Sequence, residues 1–215
     1  MCKKIGRVDK IQDMKILILS GFLGSGKTTA LMKLARFLVA HSAPDRENKV
    51  MILENEVGEV GIDDAFLRGG GFQVDNLFSG CACCTVSGEL VSAADRINRE
   101  YDPEWLIVET TGIAYPRNMQ ENLKYALKLD SRIVILVDAS RWNRLLIPMN
   151  NLLRGQIEGS DTVLINKTDL VDIETLEKIE KDIAGFEPAA VVFRISALGD
   201  IPPEVWRKVA GECEA

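Results

Sequence analysis

The stretch Gly21-Phe22-Leu23-Gly24-Ser25-Gly26-Lys27-Thr28 constrains this chain more than any other part of it. It reads G-x-x-x-x-G-K-T, a phosphate-binding loop, and it stands where such a loop must stand. The apolar run Lys15-Ile16-Leu17-Ile18-Leu19 precedes it at buried-strand length, and residues 29–38, rich in good helix formers, follow it. The glycines let the backbone wrap an anion with its N–H groups turned inward, and the helix N-terminus adds the positive end of its dipole. Lys27 is placed to reach the β- and γ-phosphates and the Thr28 hydroxyl to bind Mg²⁺. Gly21, Gly24, Ser25, Gly26 and Thr29 complete the cradle. An ordinary glycine-rich turn before a helix requires neither the Lys-Thr pair nor both flanks.

The remainder alternates in kind. Strand-length apolar runs occur at Val50–Leu53, Phe72–Phe78, Trp105–Val108, Ile133–Val137, Thr162–Ile165 and Val191–Ile195. Helical patterns fall at 87–100, 120–127, a mixed segment reaching 157, 175–183 and 204–211. Such alternation predicts an α/β fold, a P-loop NTPase three-layer sandwich with a mostly parallel sheet and helices on both faces. One domain over residues 1–215 is expected, with a short polar lead-in at 1–14 and no linker or internal repeat. Ligands of such sheets bind at the carboxyl ends of strands, and each polar motif here falls at one.

Apolar content of 47% is enough for a sizeable core. A net charge of -6 argues against a general binder of nucleic-acid backbones. No run approaches membrane-spanning length and no signal-peptide stretch opens the chain, so a cytoplasmic protein is expected, off the membrane. Of five cysteines, three crowd into Cys81-Ala82-Cys83-Cys84. That spacing suits metal binding or redox chemistry better than a disulfide framework. The single histidine, His41, falls at the end of the first helix and reads as a cap.

Three further constellations carry chemistry. Asn166-Lys167-Thr168-Asp169 ends a strand well over a hundred residues after the phosphate loop and matches N-K-x-D, a guanine-selecting pattern. The Asp169 carboxylate can accept from the base N1–H and exocyclic amine, which adenine does not mirror. Asn166 can bond the base edge and neighbouring loops, the Lys167 stem can lie over the ring, and Ser196-Ala197 can offer a backbone N–H to the base oxygen. GTP is therefore favoured over ATP. Glu109-Thr110-Thr111-Gly112 also ends a strand: Glu109 can hold Mg²⁺ or its water, and the Gly112 N–H can contact the γ-phosphate and move when it leaves. Lys27, Glu109 and Gly112 are the catalytic candidates.

Cys81 and Cys83 share one side of an extended backbone and can bind one soft or borderline cation, with Cys84 or another residue as third ligand. A redox pair or a structural thiolate site would use the same residues. In the acid-rich stretch 54–64, Glu59 or Glu54 can ligate metal and Asp63 can contact Mg²⁺ or its water; plain solvation fits them too.

Phosphate loop, Glu54-Asn55-Glu56-Val57-Gly58-Glu59-Val60-Gly61-Ile62-Asp63, the C-x-C-C element, Glu-Thr-Thr-Gly and Asn-Lys-Thr-Asp occur in that order. The set resembles the CobW-like metallochaperone GTPases, relatives of the nickel-insertion GTPases of urease and hydrogenase maturation, from about Met14 to Leu198. The resemblance implies GTP hydrolysis with Mg²⁺ and binding of Zn²⁺, Co²⁺ or Ni²⁺ at Cys81, Cys83 and Cys84. It also implies coupling of nucleotide state to metal delivery to a client metalloprotein or metal-cofactor enzyme, and a nucleotide-dependent homodimer. Familiar members add a C-terminal domain, which this chain, ending at Ala215, is expected to lack; it also has no histidine-rich stretch. Competing readings are a regulatory GTPase switch with structural cysteines, a P-loop kinase of a small metabolite, and a GTP-driven activator of a corrinoid or similar enzyme.

Overall fold

The computed structural model describes residues 14–43, 48–54, 72–76 and 86–212. Within them, β1 (Lys15–Ser20), β2 (Val50–Glu54), β3 (Phe72–Asn76), β4 (Trp105–Glu109), β5 (Ser131–Asp138), β6 (Thr162–Asn166) and β7 (Val191–Arg194) form one sheet. Its order is β3-β2-β4-β1-β5-β6-β7, and every neighbouring pair is parallel. Strands β2, β4 and β6 are buried along their whole length, which is why they read as unbroken apolar runs rather than alternating ones.

The helices are α1 (Lys27–His41), α2 (Val86–Tyr101), α3 (Pro116–Leu127), α4 (Trp142–Leu146), α5 (Asn150–Ile157), α6 (Ile173–Phe186) and α7 (Pro203–Val209). Period-two alternation along each strand divides the core between the two faces. Leu17, Leu19, Ile52, Ile107, Val134 and Leu136 pack with Leu31, Leu34 and Leu38 of α1 and Trp206 of α7. Ile16, Ile18, Leu53, Val108, Ile135 and Ile165 face α2 to α6 through Leu90, Leu123, Trp142, Leu153 and Ile179. The result is the expected three-layer arrangement.

Several boundaries move for identifiable reasons. Helix α3 begins at Pro116, not near 120, because proline at the first helical position has φ preset and needs no N–H partner. Helix α6 begins at 173, where the Asp172 carboxylate accepts the Thr175 N–H at 2.8 Å. The mixed segment divides into α4 and α5 around Pro148, which cannot donate to a continuing helix. His41 closes α1 as expected, with its Nδ1 2.8 Å from the Phe37 carbonyl and its ring stacked on that of Phe37.

Strand β1 lies between β4 and β5, the chain having filled β2 to β4 on one side before crossing to β5 to β7 on the other. A crevice forms at such a reversal of strand order. The phosphate loop leaves β1 there, between the ends of β4 at Glu109 and of β5 at Asp138.

Candidate functional site

The turn from β1 into α1 places Lys27 at the first position of the helix, 5% exposed, with no described residue pairing its ammonium. A buried cation is costly unless an anion meets it. Ser25 Oγ is also buried without a hydrogen-bond partner among the described residues, the kind of polar atom a ligand satisfies. One residue on, Thr28 Oγ1 donates to Glu109 Oε1 at 3.2 Å. Glu54 and Glu109 are register partners on β2 and β4, so two buried carboxylates leave the same face of the sheet side by side. A hydroxyl with two carboxylates is a donor set that fits a hard cation such as Mg²⁺.

The 109–112 loop is bound to this corner. Thr110 Oγ1 donates to Ser20 Oγ at 2.8 Å, tying the loop to the end of β1. Gly112 abuts the phosphate loop so closely that a Cβ there would lie 2.7 Å from the Leu23 nitrogen.

The base-selecting candidates gather on the other side. Asn166 is buried; its Nδ2 donates to the Ser25 carbonyl at 2.7 Å and its Oδ1 accepts the Ala197 N–H at 2.8 Å. Of the two roles open to it, Asn166 fills that of joining loops, and the Ala197 N–H supports it. Gly26 is required where they meet: its φ is +95°, and a Cβ would stand 2.4 Å from Asn166 Nδ2. A pocket of about 200 Å³ opens here, lined by Gly26, Thr29, Lys167, Ser196 and the exposed Asp169. The phosphate corner and this pocket share Gly26, as a nucleotide spanning both would need.

Two residues that the sequence did not single out hold the halves together. Asp138, 4% exposed at the end of β5, accepts from Lys167 Nζ and Arg141 Nε, each at 2.7 Å, and from Ser140 Oγ at 2.6 Å. Lys167 Nζ donates onward to the Gly24 carbonyl at 2.8 Å, and an Arg141 Nη donates to the Leu23 carbonyl. The available signal was an acid ending an apolar strand, as Glu109 does; what gives it partners is the register of Asp138 with Asn166 on β6.

Burial opposes the charge of Asp138, but the hydrogen bonds from Lys167, Ser140 and Arg141 outweigh it and hold the carboxyl below its ordinary value. A depressed folded-state value stabilises the fold fully above the unfolded value of about 3.9 and ceases to as pH drops through the lower folded one. Asp138→Asn is therefore expected to cost about 1–2 kcal/mol at neutral pH, a fall of about 2–8 °C in melting temperature. The gap to the native protein should close below about pH 4. Thermal melts of both proteins across that range measure it, and a gap independent of pH would contradict it.

Cys81, Cys83, Cys84, Glu59 and Asp63 lie outside the described residues. Among the described residues no three His, Cys, Asp or Glu side chains gather as a metal site, and no helix is long and apolar enough to cross a membrane.

Comparison with known proteins bears on the family and the fold. The family model described as the CobW/HypB/UreG nucleotide-binding domain matches residues 15–194. The zinc chaperone CobW of Pseudomonas aeruginosa is 27% identical over 237 residues, covering 94% of this chain and 61% of its own length. The zinc chaperone YjiA of Escherichia coli is 31% identical over 202 residues, covering 86% of this chain and 58% of its own. This chain thus spans about three-fifths of the length of these curated relatives. The crystal structure of HypB from Helicobacter pylori in complex with nickel shares the fold, with a TM-score of 0.62 at 20% identity, over 93% of this chain and 85% of that one. With the model matching from β1 to the end of β7, this chain belongs to the CobW/HypB/UreG family of nucleotide-binding domains.

Proposed function

We propose that this domain binds GTP, hydrolyses it to GDP and phosphate, and couples the nucleotide state to delivery of a transition metal ion to a client metalloprotein or metal-cofactor enzyme. The observation that carries the nucleotide reading is the single seat in which the unpaired Lys27 ammonium and the Asp169 pocket meet at Gly26. Lys27 balances charge on the outer phosphate oxygens, and the loop N–H groups bind the inner ones. Asp169 reads the guanine edge, with Lys167 beside it. Thr28 and Glu109 would hold Mg²⁺, Glu54 being placed beside them. The ion supplies positive charge where the phosphates gain negative charge during transfer. Gly112, seated on Leu23, is the group we place against the third phosphate.

The metal reading is supported by Cys81, Cys83 and Cys84 and by the zinc chaperones among the relatives; Glu59 or Glu54 is its carboxylate candidate, and Asp63 is a candidate for Mg²⁺ or its water. Zn²⁺, Co²⁺ and Ni²⁺ all suit such ligands. A GTP-driven activator of a corrinoid or similar enzyme would use the same residues. A second copy of the chain is a candidate partner, because Leu23 and Ile113, 63% and 70% exposed, flank the Gly112 end of the site. A cytoplasmic setting accords with the free thiols this chemistry uses.

Elemental analysis of protein held with GDP and with a non-hydrolysable GTP analogue tests the coupling. About one equivalent of metal is expected, bound at least about tenfold more tightly in one state, since only differential affinity can drive release. Cys81→Ser with Cys83→Ser should remove the metal and leave GTP binding intact. Equal affinity in both states, or metal retained by the double variant, contradicts the proposal and favours a plain regulatory switch.

A further inference from the structure

Helix α5 grips the segment that follows Glu109, and it does so with two consecutive residues. Gln156 is 1% exposed, and its Nε2 donates to the Gly112 carbonyl at 3.0 Å and to the Ala114 carbonyl at 3.2 Å. Both N–H groups of one buried amide are thereby engaged by one loop. Beside it, Gly155 lets the Tyr115 ring lie directly on the helix: a Cβ there would stand 2.4 Å from Tyr115 Cε1. Leu153 and Ile157 fix α5 in the core, so these contacts are made from a rigid element.

Upstream, Thr110 is held to Ser20 at the end of β1. Downstream, the peptide planes after Gly112 and after Ala114 are held by Gln156. The plane that carries the Gly112 N–H is held at the Thr111 carbonyl, which accepts the Ala114 N–H at 3.1 Å, and Gln156 holds the Gly112 and Ala114 carbonyls; without Gln156 this turn loses its seat on α5.

We propose that Gln156 is a positioning residue for GTP hydrolysis: by seating the 111–114 turn on α5, it keeps the Gly112 N–H facing the third phosphate. This rests on the reading of Gly112 given above. The base and the two inner phosphates are held by other residues, so Gln156 separates GTP from GDP without contributing to binding common to both. A neutral amide supplies the paired donor that holds two carbonyls, and neither glutamate nor leucine offers one.

The test uses Gln156→Leu, which keeps the volume and removes the donors, and Gln156→Glu, which keeps the shape and sets a carboxylate against the carbonyls. Affinities for GDP and for a non-hydrolysable GTP analogue are measured by titration calorimetry, and hydrolysis by single-turnover assay. GDP affinity should stay within about twofold of native, while analogue affinity and hydrolysis fall about tenfold or more, as loss of a buried hydrogen bond to an aligned loop would give. Glutamate should be at least as damaging as leucine. An unchanged GTP-to-GDP affinity ratio with native turnover overturns the proposal. So does equal loss of both nucleotides, or failure of both variants to bind GDP at all, since either outcome makes Gln156 a structural residue only. Gly112→Ala, measured alongside, separates the two levels: it keeps the N–H but sets a Cβ 2.7 Å from the Leu23 nitrogen, which displaces that N–H from its place beside the phosphate loop. If it loses the GTP preference while the Gln156 variants keep it, the positioning role fails and the reading of Gly112 stands. If it keeps the preference, the reading of Gly112 fails first.

Discussion

Replacing Lys27 with methionine is expected to make the nucleotide-free protein more stable while removing its GTP hydrolysis. Lys27 is 95% buried, and no described residue balances its charge, so the empty protein carries the cost of a desolvated cation. Methionine matches the length of the stem, adapts to irregular space and removes the charge. Relief of about 1–2 kcal/mol is expected, equivalent to a rise of about 2–8 °C in melting temperature for a domain of this size. The same change takes away the positive charge that meets the outer phosphates, and the rate should fall on the order of 10²–10³-fold. Stabilisation by added GTP, large for the native protein, should shrink in proportion to the lost affinity. Differential scanning fluorimetry with and without GTP measures both arms. A variant that melts lower than native without nucleotide would show that Lys27 is balanced after all.

Asp169→Asn should exchange one base for another. The carboxylate of Asp169, exposed at the mouth of its pocket, matches two adjacent donors on guanine. Asparagine keeps one acceptor and turns the other into an amine, which faces the exocyclic amine of the base. Loss of a charge-assisted hydrogen bond with a donor–donor clash in its place costs about 3 kcal/mol, a fall of about 100-fold in GTP affinity. Xanthine carries an oxygen where guanine has its amine, so xanthosine triphosphate should bind the variant better than GTP does, reversing the native order. Competition titration with the two nucleotides decides it. Unchanged selectivity would mean that Asp169 does not read the base.

Both predictions concern residues legible in the sequence, and the reason is local. The phosphate loop, its preceding strand and its following helix are contiguous, so spacing alone specifies Lys27 and Thr28. The strands β2, β4 and β6 are legible because burial on both faces leaves their interiors apolar, with polar residues confined to their ends. Asn166 and Asp169 are legible as a pattern, and so is bonding of Asn166 to neighbouring loops, but its partner is not, since the carbonyl it bonds lies 141 residues away at Ser25. Asp138, Arg141 and Gln156 were missed for the same reason. Their partners are supplied by strand order and by the side of the sheet on which α5 lies, and neither has a local signature. The start of α3 at Pro116 is legible in principle, since proline favours that position, although the helical pattern itself reads only from about 120.

Asn166 also bears on how a spent nucleotide leaves. Its one amide fastens the turn that holds phosphates to the loop carrying Ala197, through Ser25 on one side and the Ala197 N–H on the other. On the proposed reading, both ends of a bound GDP would share a single latch, and drawing Asn166 away from the Ser25 carbonyl would loosen both grips in one movement.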